Sequence, residues 1–443
     1  MGTGTSRTNE SPSGKINFST FKARIDRVKI NGVQRTYDDY LERTSKKLFA
    51  AKNVQELLDG VKETRAALLE LGVFKNLSAT VDTSKGKDAS PYGYEVNFYG
   101  EELSRITGSV GTEIDQHEGC FVSELSTPNL FGRGERLSLN GSYSNLKTSE
   151  LQLKFFKPYY HTRYGDYKPE ISFALLRHAS LFDWSKFKTE QTGVAFETSG
   201  IFPIDTLVHT LRYELYVRDT IAMFKHTPFF VREYCGPKLA NVLSYNVVYD
   251  QRDSHVFPTE GIRVSTSHHL INSSFKKLGY LKNDLHAELN CPLFAGMSVQ
   301  LSGRVGKIVP LGDAMEPIAI SDKFFLGGPQ TLRGFVVGGA GEQKEGAATG
   351  ANIYWLAAAH LWSPLPFSQY FGQFGQLFRT QIFCNVGHSG DFTTENLRGA
   401  IGVGLAFRLG DRARIELNYT QPYRTQKGDL PKAFQFGIGY DFT

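Results

Sequence analysis

Two hydrophobic periods divide this chain of 443 residues. Between residues 37 and 71, apolar side chains recur three and four positions apart, at Leu41, Leu48, Phe49, Leu57, Leu58, Val61, Leu68 and Leu71. This spacing predicts two amphipathic helices, over residues 37–52 and 54–71. From about residue 103 onward, apolar and polar residues alternate one by one in segments of about ten to thirteen residues. The second period predicts β-strands with one apolar and one polar face.

Short alternating segments flank the two predicted helices. Residues 21–33 precede the helices, and residues 73–83 and 92–100 follow them. Gly72 stands where the second helix would end in a left-handed residue. The predicted order of elements is therefore β-α-α-β-β. The first fifteen residues contain no apolar segment, so we expect residues 1–20 to form a disordered polar arm and not a secretory signal.

The long alternating region admits two interpretations, a soluble β-sandwich or a membrane β-barrel, because both bury one face of each strand. Three observations favour the barrel. Strands of ten or more residues exceed the usual length in soluble sheets and can cross a bilayer at a tilt. Aromatic residues gather at segment ends, as in "FFKPYYHTRY", which is typical of the belts at membrane interfaces.

The number of strands is the third observation. We count about ten segments before residue 324, eleven if "GCFVSELSTPNL" pairs, and five after residue 342. An even total of about sixteen returns the last strand beside the first. We therefore predict a transmembrane β-barrel of about 16 antiparallel strands over residues 102–443. A helical membrane protein is not expected, because no apolar run approaches the roughly 18 to 20 residues that a spanning helix needs.

Composition and charge exclude several other classes. The formal net charge of +5 is small for this length and spread along the chain, so nucleic-acid binding is not indicated. The cysteines are isolated, at Cys120, Cys235, Cys291 and Cys384. Their spacing predicts neither a disulfide framework nor a metal site. A mean hydropathy of −0.30 does not argue against a barrel, because each membrane strand turns only every second residue to lipid.

Residues 324–342, "FFLGGPQTLRGFVVGGAGE", interrupt the alternation with six glycines and one cation, Arg333. Glycine-rich loops can bind phosphate, but this one lacks the Gly-Lys-Ser/Thr sequence and precedes no predicted helix. His268, His269, Asp250 and Asp253 show no catalytic or metal-ligand spacing. We therefore expect neither an enzyme nor a bound cofactor.

The same loop resembles the signature loop of BamA-type outer-membrane assembly barrels and of two-partner secretion barrels. The matching residues are Leu332, Arg333, Gly334 and Phe335, placed just before the last five strands. Residues 249–264, "YDQRDSHVFPTEGIRV", resemble a second segment of that superfamily, and residues 21–101 resemble its polypeptide-transport-associated (POTRA) domain. The resemblance implies one POTRA domain, a barrel, and a loop over residues 309–350 that folds into the lumen.

A cation in a narrow lumen must be paired or hydrogen-bonded. In bacterial members of the superfamily, acidic residues on the two strands after the loop bind this arginine, whereas His360 and Asn385 stand at the matching positions here. The partner of Arg333 is therefore either a neutral hydrogen-bonding group or another acid, such as Glu416 or Asp441.

The C-terminal segment "QFGIGYDF" fits the β-signal by which barrel proteins are presented to their insertion machinery, at Gln435, Gly437, Tyr440 and Phe442. It also serves simply as the closing strand. Glycines weaken both predicted seam strands, at Gly108 and Gly111 beside Thr107 in the first strand and at Gly437 and Gly439 in the last. We hypothesise that these strands part as a lateral gate, so that the first-strand edge pairs with an incoming precursor.

Within the superfamily, the chain resembles the core subunits of the mitochondrial sorting and assembly machinery (SAM complex), on its single POTRA domain, its polar arm and the segments "LFRTQIFCNVGHSG" and "ARIELNYTQP". The resemblance implies insertion of porin-type β-barrel precursors into the mitochondrial outer membrane, with the POTRA domain in the intermembrane space. The implied partners are these precursors, accessory SAM subunits, outer-membrane lipid and a complex that organises the inner membrane. The alternatives are a polypeptide-secretion pore and a passive channel, although a channel needs neither a POTRA domain nor a lumen loop.

Overall fold

The computed structural model describes residues 18–439 except 86–88, 116–117, 145–147, 159–168, 203, 205, 224–226, 273–278, 313–317, 367–369, 371, 391–395 and 411–412. The chain divides into two compact units. The first contains the described residues up to Thr107 together with Thr127–Glu135. The second contains Gly108–Ser126 and the described residues from Arg136 onward. The residue boundaries proposed for the domains stay predictions.

The first unit has the predicted β-α-α-β-β order. Its elements are β1 (Arg24–Asn31), α1 (Asp38–Ser45), α2 (Val54–Glu70), β2 (Phe74–Thr83) and β3 (Gly93–Glu102). The sheet order is β1-β3-β2, with β1 parallel and β2 antiparallel to β3. Leu68, Val73 and Phe98 of this unit are each 0% exposed. This is the architecture of a POTRA domain.

The two helices end differently. Gly72 follows α2 with φ +66°, as predicted, and Asn53 caps the start of α2 by accepting from the Glu56 backbone N–H at 2.8 Å. The first helix is shorter than predicted, because it ends at Ser45 and continues as a 3-10 helix over Lys46–Ala50. The Ser45 hydroxyl donates to backbone carbonyls of the preceding turn, a competing interaction that weakens helix interiors.

The second unit is an antiparallel sheet of 16 strands. Eleven precede the glycine-rich loop: β4 (Thr107–Asp115), β5 (Glu118–Pro128), β6 (Arg136–Ser144), β7 (Ser149–Pro158), β8 (Glu170–Phe182), β9 (Phe187–Ile201), β10 (Leu207–Ala222), β11 (Gly236–Asp250), β12 (Gly261–Asn272), β13 (Tyr280–Pro292) and β14 (Ser298–Pro310). Five follow it: β17 (Ile353–Pro364), β18 (Phe378–Ser389), β19 (Arg398–Leu409), β20 (Ala413–Arg424) and β21 (Phe434–Gly439). The loop itself carries a small hairpin, β15 (Gln343–Lys344) and β16 (Ala347–Ala348), and two one-turn helices lie elsewhere, α3 (Phe229–Arg232) and α4 (Gly372–Gly375).

The strand count confirms the prediction of about sixteen, including the pairing of β5, which covers "EGCFVSELSTP". Each strand neighbours the next in sequence, and β14 pairs directly with β17 across the loop. The order begins at β4 and ends at β21. The first and last strands are therefore the two ends of the sheet, as a barrel seam requires.

The faces of the sheet decide between barrel and sandwich. Along β20, Glu416 and Asn418 are buried, whereas Leu417 and Tyr419 are 54% and 47% exposed. The same inversion holds on β14, where Gln300 is buried and Leu301 is exposed. Because the exposed face is apolar and the enclosed face polar, the sheet is a transmembrane barrel and not a soluble sandwich. No helix in the described ranges is long and apolar enough to cross a membrane.

The described residues 318–351 of the connection between β14 and β17 pack inside the barrel. Leu326, Leu332, Phe335 and Ala340 of this connection are buried in one apolar cluster. The cluster also contains wall residues from several strands: Tyr216, Ala240, Val242, Ile271, Tyr280, Ile308, Tyr354, Leu356 and Ala400. We call residues 318–351 the lumen loop.

Candidate functional site

The signature Leu332–Phe335 is the most buried part of the lumen loop. Leu332, Arg333 and Phe335 are each 0% exposed. Gly334 has φ +92°, and a Cβ there would lie 2.7 Å from the Cβ of Ala400 and 3.0 Å from Cγ2 of Thr420. Both the backbone conformation and the close approach to the wall therefore require glycine at this position.

Arg333 binds the wall through three side chains. Its Nη2 donates to Oε2 of Glu416 at 3.0 Å, and both side chains are fully buried. Its Nη1 lies 3.5 Å from Nε2 of His360, and the guanidinium lies 5.1 Å from the ring centre of Phe383. The lumen loop is thus held to the wall by a buried ion pair with Glu416, by a neutral acceptor on His360 and by the aromatic face of Phe383.

His360 acts as an acceptor in this arrangement. Its Nδ1 lies 2.9 Å from Oε1 of Gln381, which has no proton to donate. Nδ1 therefore carries the proton of the imidazole and Nε2 presents its lone pair toward Arg333. A neutral histidine thus occupies the position at which the superfamily resemblance implied an acid.

Glu416 is the hub of the network. Its Oε2 accepts from Arg333, from Gln381 at 3.1 Å and from Asn418 at 3.0 Å. Its Oε1 accepts from Nε of Arg414 at 2.7 Å. One carboxylate therefore serves two arginines and two amides, which satisfies its lone pairs inside the barrel.

A second loop reaches the same hub. Arg414 donates through Nη1 to the backbone oxygen of Val256 at 2.8 Å, and Val256 is 2% exposed. Val256 lies in the connection between β11 and β12, within the second segment that resembles the superfamily. Consecutive antiparallel strands reverse direction, so the β11–β12 and β14–β17 connections enter the lumen from opposite ends. Glu416 and Arg414 join them.

Asn385 and Asp441, the other two candidates for binding Arg333, take no described part in the network. Asn385 is fully buried, in register between Ala358 and Ala400, and among the described residues neither polar atom of its side chain has a hydrogen-bond partner. Asp441 lies outside the described residues.

The start of the lumen loop has an anchor of its own. Nη1 of Arg218 on β10 donates to Oδ2 of Asp322 at 2.8 Å and to the hydroxyl of Ser321 at 3.0 Å. The hydroxyl of Tyr280 donates to the same Asp322 oxygen. Arg218 also donates to the hydroxyl of Tyr216 at 2.7 Å. The loop therefore meets the wall through two separate ion pairs.

The last strand binds the signature directly. The side-chain amide of Gln435 accepts from the Gly334 backbone N–H at 2.8 Å and donates to the Phe335 backbone oxygen at 2.7 Å. Gln435 is 3% exposed, and Gly437 is buried on the same face of β21. Tyr440 and Phe442, the apolar half of the predicted β-signal, lie outside the described residues. The polar half of this segment thus contacts the lumen-loop signature.

The seam glycines lie on the two terminal strands. In the described part of the chain, β4 neighbours β5 and β21 neighbours β20. A Cβ at Gly111 would meet nothing within 4 Å, and one at Gly108 would lie 3.6 Å from the backbone oxygen of Glu124. Val110 is 71% exposed and its neighbours in β4 are exposed as well. Thr107 begins β4 and Gly439 ends the described part of β21.

The remaining candidates have structural roles. Asp250 and Glu288 both bind Arg252, at 2.9 Å and 3.2 Å. Asp253 accepts from backbone and side chain of Thr259 within the β11–β12 connection. Among the described residues, no cluster of three or more His, Cys, Asp or Glu side chains could hold a metal ion.

Three parts of this site were not predicted from the sequence: Arg414, Gln381 and the contact of Gln435 with the lumen loop. The alternation that places Arg414, Glu416 and Asn418 on one face was a usable signal, because three polar residues on the enclosed face must bind something. The contact between Gln435 and the loop left no signal in the sequence.

The fold and this site define a class, the outer-membrane β-barrels in which a lumen loop with an Arg-Gly-Phe signature is fixed to the wall. Residues 129–442 match the Omp85 superfamily domain. A SAM50-like protein of Drosophila melanogaster is 46% identical over 98% of this chain and 98% of its own length. Sorting and assembly machinery component 50 homolog B of Xenopus laevis is 36% identical over 94% of this chain and 90% of its own length. The chain belongs to the sorting and assembly machinery component 50 family of the Omp85 superfamily.

A solved structure supports the fold independently. BamA from Haemophilus ducreyi, crystallised without POTRA domains 1–3, superposes with a TM-score of 0.75. The match covers 94% of this chain and 84% of that one, at 16% sequence identity. At this identity the likeness establishes a shared architecture and nothing more.

Proposed function

We propose that this protein inserts β-barrel precursors into the mitochondrial outer membrane through the seam between β4 and β21. The observation that carries the proposal is the contact of the lumen-loop signature with the last strand, where Gln435 binds Gly334 and Phe335. Family membership supports the same role, since one relative is named a SAM50-like protein and another a sorting and assembly machinery component.

The mechanism rests on strand addition. Residues 108–111 of β4 are exposed on both faces of the strand, and β4 is one end of the described sheet, so its edge can accept a strand. A precursor strand with a β-signal pairs with this edge, and further strands follow until the new barrel closes. Backbone pairing and burial of apolar faces in lipid supply the free energy, so no nucleotide is needed.

The lumen loop keeps the last strand in place while a precursor strand pairs with the edge of β4. Its two ion pairs, Arg218 with Asp322 and Arg333 with Glu416, fix it to the wall, and Gln435 ties β21 to it. A precursor strand can therefore pair with the edge of β4 while β21 stays bound to the lumen loop.

The proposed setting follows from this role. The POTRA domain lies in the intermembrane space, and the barrel contacts outer-membrane lipid through its apolar outer face. Accessory subunits of the SAM complex and a complex that organises the inner membrane are the proposed protein partners.

A secretion pore of the same superfamily is the second candidate, and a passive channel is a weaker third. The buried loop argues against a passive channel, because the signature and its wall contacts occupy the lumen. A secretion pore would have to move the lumen loop, which the buried Arg333–Glu416 pair fixes to the wall.

Depletion of the protein from mitochondria separates these functions. Newly imported porin and a soluble reporter cargo are followed in parallel, and the full-length protein is restored as the control. Insertion predicts that porin assembly fails and that soluble cargo is unaffected. Normal porin assembly with arrested soluble cargo would replace the insertase with the secretion pore.

A further inference from the structure

The hydrogen-bonding direction of β21 can be assigned from one contact. The Thr420 backbone N–H donates to the Ala433 oxygen at 2.8 Å, so residue 433 directs its backbone groups toward β20. The register pairs Asn418 with Gln435 and Glu416 with Gly437. Because backbone direction alternates along a strand, residues 434, 436 and 438 direct theirs away from β20, along the open edge of the sheet.

The lumen loop occupies part of this edge. Nε2 of Gln330 donates to the backbone oxygen of Ile438 at 3.1 Å. Ile438 is 5% exposed, although Phe434 and Phe436 at the start of the same face are 72% and 41% exposed. The far end of β21 is thus enclosed, and its edge acceptor already has a donor.

The lumen loop contacts the chain at both ends of residues 430–438, which include the segment before β21 and most of β21 itself. The Val336 N–H donates to the Leu430 oxygen at 2.9 Å, and the Lys432 N–H donates to the Gly334 oxygen at 2.8 Å. Gln330 then reaches Ile438 at the other end. Residue numbers fall along one segment as they rise along the other, so the loop runs antiparallel to the last strand.

We propose that Gln330 is a latch that holds the seam open, by occupying the edge acceptor of Ile438 that closure with β4 would use. This inference rests on the proposed function, because it concerns the seam through which precursors enter. Gln330 is a positioning residue here. It acts by keeping β21 apart from β4, so that the edge of β4 stays available to a precursor strand.

The chemistry of the latch makes it reversible. A strand that pairs with this edge presents a backbone N–H to the Ile438 oxygen, and the side-chain amide of Gln330 presents an equivalent donor. Exchange of one donor for the other leaves the number of hydrogen bonds unchanged. The net contribution of one such bond corresponds to a factor of about three to ten in the balance between open and closed seam.

The test measures seam closure in the full-length protein in membranes, without any precursor. Thr107→Cys and Gly439→Cys are introduced in a background in which the four native cysteines are serine, and the rate of disulfide formation reports how often β4 meets β21. Gln330→Ala removes the donor, and Gln330→Glu keeps the length but offers no donor. Gln330→Lys restores a donor.

Gln343→Ala is the matched control. Gln343 lies in the same loop, and its Nε2 donates to the Gly338 oxygen at 2.8 Å, a contact that stays within the loop. We expect Gln330→Ala and Gln330→Glu to accelerate disulfide formation about threefold to tenfold, whereas Gln330→Lys and Gln343→Ala stay near the parent rate. Unchanged or slower oxidation in Gln330→Ala and Gln330→Glu would overturn the latch.

Assembly of imported porin, measured in the same variants without the cysteine pair, separates the latch from the proposed function. Faster closure with slower porin assembly supports both. Faster closure with normal porin assembly keeps the latch but rejects the lateral route. Gln330→Glu preserves the side-chain volume. It therefore tests the latch even if Gln330→Ala fails to fold.

Discussion

The lumen loop is anchored by two buried ion pairs of opposite arrangement. At its start, the loop contributes the acid, Asp322, and the wall contributes the base, Arg218. Further along, the loop contributes the base, Arg333, and the wall contributes the acid, Glu416. Arg218 has neutral oxygens beside its carboxylate partner, whereas Glu416 holds a second arginine as well. The first anchor is thus a local clamp, and the second is shared with the β11–β12 connection.

Loss of the shared carboxylate gives the largest expected effect. Glu416→Gln leaves Arg333 and Arg414 buried without a counter-charge, so we expect about 4 to 5 kcal/mol of destabilisation and loss of porin assembly. Denaturant unfolding of the purified barrel measures the stability. Glu214→Gln is the control, because Glu214 binds Arg212 on the barrel wall with partly exposed side chains and should cost less than about 1 kcal/mol. Equal destabilisation by Glu416→Gln and Glu214→Gln would contradict the role of Glu416 as the hub of the network.

Removal of the arginine should cost less than removal of its acid. After Arg333→Ala, Glu416 keeps Arg414, Gln381 and Asn418, so we expect about 3 kcal/mol of destabilisation. Porin assembly should fall while targeting of the protein to the membrane stays intact. Arg333→Lys should restore little, because a single ammonium cannot reach Glu416 and His360 with the geometry of the guanidinium fork. Normal assembly in Arg333→Ala would count against the role of the signature.

The local clamp should be more tolerant. Asp322→Asn keeps an oxygen for Arg218 and Tyr280 and leaves the contacts of Arg218 with Ser321 and Tyr216 in place. We expect about 1.5 to 3 kcal/mol of destabilisation, the range for hydrogen bonds to charged groups. The β11–β12 connection should be unaffected, which hydrogen exchange around Val256 would show. Increased exchange there, as expected for Glu416→Gln, would mean that the two anchors are not separate.

The smallest effect on stability is expected from protonation or substitution of Glu102, a carboxylate outside the barrel. Glu102 in the POTRA domain accepts from the Thr36 hydroxyl at 2.7 Å, from the backbone N–H groups of Thr36 and Arg35, and from Nε of Arg35. Burial raises the pKa of Glu102, but these hydrogen bonds outweigh burial and leave the pKa below its ordinary value.

The sign of the pH dependence follows from that direction. Since the pKa of Glu102 is lower in the folded state, its stabilisation is full above the unfolded pKa of about 4.3 and is lost as the pH falls through the folded value. We therefore expect hydrogen exchange at Arg35 and Thr36, corrected for intrinsic rates, to increase at acidic pH. Glu102→Gln should remove this dependence, and a pH response that survives the substitution would assign it to another group.

Much of the architecture could be predicted, because the chain encodes it in local periods. Alternation fixed the barrel strands, the three-and-four spacing fixed α2, and Gly72 marked its end. Alternation alone did not say which face of the sheet was enclosed. The structure assigns the enclosed face, because Glu416 and Asn418 are buried whereas Leu417 and Tyr419 are exposed. The early end of α1 was missed, because the side chain of Ser45 competes with the helix locally.

The site was less accessible to sequence reasoning, since its contacts join segments far apart in the chain. Arg333 demanded a partner, but Glu416 lies 83 residues away and two other acids or amides were equally plausible from spacing. The link between Gly334 and Gln435 spans 101 residues. Such pairs depend on which strands neighbour the loop, and the register of a barrel becomes known only when the sheet is assembled.

The lateral route through the seam is tested most directly by locking it. A disulfide between Thr107→Cys on β4 and Gly439→Cys on β21 would join the two ends of the sheet, and reduction would release them. Each single-cysteine variant serves as a control. Our account predicts that porin assembly stops when the disulfide is formed and resumes after reduction. Porin assembly at the parent rate with the seam fully locked would contradict insertion through this seam.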